Sequence, residues 1–185
     1  MQGQGRRGVN GKESSGKAEL VFLLLWGKWQ VSIFFPREDI KIMAVYKEVR
    51  PKQTFIGKLN YDSDLLEELT AVCKEKGVSL GVVEAIGAVK KARLGYYDQG
   101  RREYQFFEID KGLEITSLLG NISLRDGEPM VHAHVTLADS DGRCYGGHLA
   151  SGTVVFAGEF LIRACEGPTY SRGHDEKTGL PLWEM

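Results

Sequence analysis

Residues 130–150 read MVHAHVTLADSDGRCYGGHLA. The run Val131-His132-Ala133-His134-Val135 alternates apolar and polar side chains, the pattern of a strand with one buried face. Side chains two apart share a face, so His132 and His134 project together, with Met130 and Thr136 beside them. Val131, Ala133, Val135 and Leu137 take the opposite side. The turn Asp139 to Gly142 then leads into a second strand, Arg143 to Ala150, which carries Gly146-Gly147-His148. Hairpin pairing across that turn returns His148 towards the first two histidines. The two glycines before it allow close approach of a neighbouring backbone or a ligand.

The same punctuation extends in both directions. Tyr46 to Leu59 reads as extended, with Pro51 marking a break or an edge. Asp62-Ser63-Asp64 caps a helix running to about Lys76, where Leu65, Leu66, Leu69, Val72 and Cys73 fall at helical spacing and Gly77 stops it. Strands follow over Val78 to Leu94, with Gly87 as a bulge or bend, and over Tyr104 to Ile109, Gly112 to Ser123, and Thr153 to Ala164. Asp98-Gln99-Gly100, Asp126-Gly127, Asp141-Gly142 and Ser151-Gly152 are the turns. Hairpin-length links predict an α+β fold: a mainly antiparallel β-sheet of six or seven strands with one main helix packed on it.

Residues 1–42 are of another kind. Met1 to Lys17 is rich in Gly, Ser and charge, and the apolar run Val21 to Trp26 is too short and interrupted for a membrane span. We expect an N-terminal extension over 1–42, disordered or upstream of a natural start at Met43, and one domain over 43–185. The chain's net charge of −1 divides into +3 over residues 1–42 and −4 over the rest. A net-acidic domain lacks the broad electrostatic footprint of a nucleic-acid binder. The three cysteines, Cys73, Cys144 and Cys165, form no CxxC pair and read as reduced thiols of a cytoplasmic protein.

The chemistry therefore rests on the histidines. Three imidazoles within mutual reach suit a divalent metal such as Zn²⁺, Fe²⁺, Ni²⁺ or Cu²⁺. Three protein nitrogens leave a fourth position open, as in a catalytic or ligand-binding zinc site, so Zn²⁺ is the first choice. The alternative is a polar sheet face without a metal. Ligation needs neutral imidazoles, so occupancy is expected to fall below about pH 6. His174, in a Gly/Asp-rich tail, reads as a solvated loop residue. Glu159, in the apolar run Val154 to Ile162, needs a partner if buried. It would orient a histidine, act as a general base, or pair with an arginine, within the chain or across a subunit interface. Asn121, Gly146 and Gly147 are candidate ligand-binding positions, Asn121 having a turn or bulge role as its alternative. Cys144 is a candidate soft ligand or simply a small buried side chain. No phosphate loop and no nucleophile elbow is present.

Read in order, several motifs resemble one family. They are Leu118-Leu119-Gly120-Asn121-Ile122-Ser123, Asp126-Gly127, His132-x-His134-Val135-x-Leu137-Ala138-Asp139, Gly142, and Gly146-Gly147-His148-Leu149. Upstream stand Gly81-Val82-Val83-x-Ala85-Ile86-Gly87-Ala88-Val89 and Ala92-x-Leu94-Gly95-Tyr96-Tyr97; downstream stand Glu159 and Asp175-x-x-Thr178-Gly179-Leu180. Over residues 46–185 the chain resembles the plants and prokaryotes conserved (PPC) domain. The resemblance implies a mainly antiparallel sheet with a packed helix, a homotrimer, and a metal held by the residues matching His132, His134 and His148 in prokaryotic members. Plant members carry an AT-hook and are nuclear DNA-associated proteins. The hook needs an Arg-Gly-Arg-Pro core for the narrow minor groove, and Gly5-Arg6-Arg7-Gly8 lacks it. The sequence thus points to a trimeric metal protein binding or acting on an unknown small molecule. Its alternative is a DNA-associated regulatory protein in which any metal is structural.

Overall fold

The computed structural model describes residues 44–185. The expected N-terminal extension over 1–42 lies outside them. Element order is β1 (Arg50–Leu59), α1 (Leu65–Glu75), β2 (Gly81–Asp98), β3 (Glu103–Ile109), β4 (Leu113–Arg125), β5 (Glu128–Ala138), β6 (Cys144–Leu149), β7 (Val154–Glu166), β8 (Arg172–His174) and β9 (Pro181–Trp183). The predicted α+β class holds: one helix packs on an antiparallel sheet of seven strands. No helix among the described residues is long and apolar enough to cross a membrane.

The sheet runs β1-β7-β2-β4-β5-β6, with β3 also on β2. Its centre is the 18-residue β2, which bends at Gly87, where the register shifts and φ is +137°. That conformation suits glycine, and the bend lets one strand serve two sets of neighbours. The first half of β2 pairs with β4 and β7, while its second half pairs with β3 and, through Leu94↔Leu149 and Gly95↔His148, with β6. The path β2-β4-β5-β6 therefore closes back on β2.

The core lies on the inner face: Val83, Leu94, Leu118, Ile122, Leu137, Leu149 and Ile162 are essentially inaccessible. Helix α1 covers it with Leu65, Leu69 and Cys73. The Asp64 carboxylate caps the helix by accepting from the backbone N–H groups of Leu66 and Glu67, both at 3.0 Å. Burial pushes the Cys73 thiol up to about 11, so it stays a neutral packing group. Pro51 sits at the start of edge strand β1, beside a register shift.

The tail differs from its reading as loop. Residues 172–183 form a two-stranded antiparallel pair, β8-β9, docked on the end of β4. The Leu124 N–H donates to the Tyr170 carbonyl at 2.8 Å, buried Tyr170 stacks on Trp183, and the Tyr97 hydroxyl donates to the Thr178 carbonyl at 2.7 Å. The partners Leu124 and Tyr97 lie more than 45 residues away along the chain, which no local pattern in the tail reveals.

Candidate metal centre

The β5–β6 hairpin forms as expected, and its turn fixes the register. The Asp139 carboxylate accepts from the backbone of Asp141 and Arg143, from Lys111 Nζ at 2.7 Å and from the Tyr145 hydroxyl at 3.0 Å. The Lys111 ammonium, helped by these donors, holds the Asp139 carboxyl well below the usual carboxylate range. The locked turn pairs His134 directly with His148, and β4 places Asn121 directly opposite His132. Directly opposed residues share a face, so all three imidazoles stand on the outer side of the sheet, away from the core.

One ring nitrogen from each of His132, His134 and His148 comes within 4.8 Å of the others. Ring centroids are 5.0–5.5 Å apart. His132 and His148 are half-buried, and His134 is exposed. Burial, the Arg172 charge and the neighbouring imidazoles push His132 down to about 4; burial, His134 and Arg172 do the same to His148. Both rings are therefore neutral, as ligation requires, and protonation competes only at lower pH than the value near 6 expected from free histidine. His148 Nδ1 is buried without a hydrogen-bond partner among the described residues. Such an orphaned nitrogen is costly unless something occupies it. The donor set, the neutrality of His132 and His148 and this orphan all fit a divalent ion.

Groups outside the hairpin complete the surround. Tyr104 of β3 lies against His148, centroids 5.0 Å apart. Arg172 of β8 reaches across the end of β4: Nε donates to Ser123 Oγ at 3.0 Å, Nη1 to the Pro181 carbonyl at 2.9 Å, and Nη2 to Asn121 Oδ1 at 2.7 Å. Arg172 Nη2 also lies 3.2 Å from His132 Nδ1. Asn121 thus faces the site as a holder of Arg172. No local pattern signals Arg172, because only the docking of the tail brings it there.

Other candidates lie elsewhere. Glu159 is exposed on β7, opposite Lys58 and Ile86, and β2 and β4 stand between it and the histidine strand. It is not buried as its apolar surroundings implied, because it points outward from a strand whose alternate residues form the core. Three strand spacings of about 4.8 Å separate β7 from β5, so within one chain Glu159 neither orients a histidine nor serves these rings as a base. Gly147 turns to the inner face opposite buried Val135, and a side chain there would meet the Gly95 carbonyl; its role is close backbone approach, not ligand contact. Gly146 is on the histidine face opposite Thr136. Cys144 is exposed at the start of β6, near the Gly142 carbonyl, and outside the cluster. His174 is exposed near Glu176, 3.9 Å away, and likewise outside it.

The arrangement can be set beside known proteins. The profile of the Plants and Prokaryotes Conserved domain matches residues 46–166. Among solved structures, a metal-containing protein of Archaeoglobus fulgidus is 42% identical, with a TM-score of 0.73 over 77% of this chain and 100% of that one. A plant- and prokaryote-conserved protein of Pyrococcus horikoshii is 33% identical, with a TM-score of 0.72 over 77% of this chain and 98% of its own. A candidate DNA-binding protein of Bacteroides thetaiotaomicron is 29% identical, with a TM-score of 0.66 over 74% and 96%. The bifunctional protein GlmU of a Synechococcus strain is 31% identical over 147 residues, 78% of this chain. The chain spans only 21% of the length of that curated relative. With its sheet, its helix and its motifs all in place across the matched span, the chain belongs to the Plants and Prokaryotes Conserved domain family.

Proposed function

We propose that this protein is a trimeric, cytoplasmic metal protein whose three-histidine site binds, or acts on, a small molecule. The observation that carries the reading is the convergence of His132, His134 and His148, with nitrogens within 4.8 Å and the His148 Nδ1 orphaned. These residues would hold one divalent ion per chain, Zn²⁺ first among the candidates. Such an ion supplies Lewis acidity at an open position. The protein's own part is to keep His132 and His148 neutral by burial, to shield His148 with Tyr104, and to hold Arg172 at the rim through Asn121 and Ser123. The metal content of the Archaeoglobus relative supports the reading.

Trimer formation is supported by the open sheet face. A cross-strand row runs Ile56, Leu161, Glu84, Leu119, His134, His148. Ile56 is 84% exposed, Leu119 59% and neighbouring Ile86 58%. Large apolar side chains clustered on one sheet face mark an association surface. The row ends at exposed His134 and half-buried His148, so a second copy seated there would border the site and bring other chains' groups, Glu159 included, near it.

DNA association is the second reading, favoured by the candidate DNA-binding relative. The acidic charge over residues 43–185 opposes it, since few phosphates would be neutralised. Two measurements separate the readings. Elemental analysis of protein purified without a His-tag should give about one metal per chain. Duplex DNA should not be retained tighter than about micromolar at physiological salt, the range of non-specific binding. Metal-free protein with submicromolar DNA affinity would reverse the assignment.

A further inference from the structure

Among the described residues, Arg172 is a cation without a counter-charge. None of the ion pairs among the described residues includes it, and Glu184, beside Gly173 in the same hairpin, makes none with it. Its acceptors are neutral: a hydroxyl, a carbonyl, an amide oxygen and an imidazole. It is half-buried, where an uncompensated charge is expensive. A guanidinium only donates, so in the contact with His132 the Nδ1 atom accepts and the ring proton sits on Nε2. Metal ligation and this contact exclude each other. Were Nδ1 the ligand, its lone pair would be taken; were Nε2 the ligand, the proton would move to Nδ1 and two donors would face each other. Loading the site therefore frees an Arg172 donor and adds a dication beside an existing cation. Three neutral imidazoles cannot balance that charge, and none of the three is joined by a carboxylate in the cluster.

We propose that Arg172, delivered by the C-terminal hairpin that lies beyond the family-matched span, is the specificity residue of the site and that its ligand is a small oxyanion, a carboxylate or a phosphoryl group. An oxyanion answers both charges and accepts from the planar fork of the guanidinium. The hairpin is then part of the site: Asn121 and Ser123 aim the guanidinium, and the stacked Tyr170–Trp183 pair anchors its strand.

The inference rests on the metal reading, and the test separates the two. The untagged full chain is titrated with Co²⁺, followed by its visible absorption, and then with acetate or methylphosphonate. In the native sequence each effective anion should perturb the spectrum saturably, and the more effective one identifies the ligand class. Arg172→Gln should weaken anion binding by about tenfold or more, the loss expected of a charge-assisted pair, with Co²⁺ affinity unchanged or tighter. Arg172→Lys should recover part of the anion response. Asn121→Asp, which sets a carboxylate on Arg172 with the shape preserved, should also weaken the anion and serves if the Arg172 variants fold poorly. No Co²⁺ binding by the native chain overturns the metal reading and this one together. Co²⁺ binding with anion affinity equal in the native, Arg172→Gln and Asn121→Asp proteins overturns this one alone. Co²⁺ affinity lost in Arg172→Gln would make Arg172 a scaffold rather than a ligand-binding residue.

Discussion

Replacing Gly147 with alanine tests how the fold positions His148. Neither Gly146 nor Gly147 has a positive φ, so the backbone itself accepts alanine at both. Space distinguishes them. A Cβ on Gly147 would lie 2.9 Å from the Gly95 carbonyl oxygen and 3.3 Å from the Leu94 Cβ. Ordinary carbon–oxygen contact needs about 3.3–3.6 Å, so β6 must retreat from β2 by roughly 0.5 Å. Neither obstacle is a flexible side-chain end. Overpacking of this kind costs about 1–3 kcal/mol, partly offset by the roughly 0.4–1 kcal/mol gained from a less flexible unfolded chain. The net is about 1–2 kcal/mol of destabilisation, or roughly 3–8 °C in Tm for a domain of this size. A Cβ on Gly146 would lie 3.4 Å from the Val135 carbonyl and 3.8 Å from Thr136 Oγ1, ordinary contacts. Gly146→Ala should be neutral or stabilising by up to about 1 kcal/mol. Urea unfolding of both variants, with Zn²⁺ affinity measured alongside, checks the pair. Gly147→Ala should also bind Zn²⁺ more weakly, because His148 is the next residue. Equal stabilities for the two variants would refute the closure of β6 on β2 as the device that seats His148.

Two further outcomes follow from the site and the sheet face. Metal-free protein should lose stability as pH falls from about 6.5 to about 4: the unfolded histidines protonate near 6.5 while His132 and His148 resist until about 4. Below that both states are protonated and the loss stops. A His132→Gln, His148→Gln variant should flatten this slope in urea unfolding across pH; an unchanged slope would assign it to other groups. Light scattering should give about three times 20.6 kDa for the native chain. Leu119→Asp, placing a charge in the exposed apolar row, should shift the mass towards one chain while leaving the far-UV spectrum intact.

Most of the fold was legible because its signals are local. Strict alternation in 131–137 set two histidines on one face, and the Asp139–Gly142 turn is short enough to force the hairpin that returns His148. The helix cap and the Gly87 bulge were readable for the same reason. What failed depends on distant contacts. Glu159 was weighed as buried because its neighbours are apolar, yet strand alternation sends it outward while Gly158 and Phe160 pack inward. Gly147 was open to either a neighbouring backbone or a ligand; β2 takes that room, through a second pairing that arises only once β2 bends. Arg172 was invisible because nothing near it in sequence shows that residues 172–183 fold onto β4.

Whether His132, His134 and His148 hold one divalent ion can be measured directly. The measurement is the metal content, by mass spectrometry of untagged protein, of the His132→Ala, His134→Ala double variant beside His174→Ala and the native chain. About one equivalent is expected in the native and His174→Ala proteins and a small fraction of that in the double variant. Folding should be retained throughout, since the core lies on the opposite face of the sheet. A full equivalent of metal in the double variant would contradict the assignment.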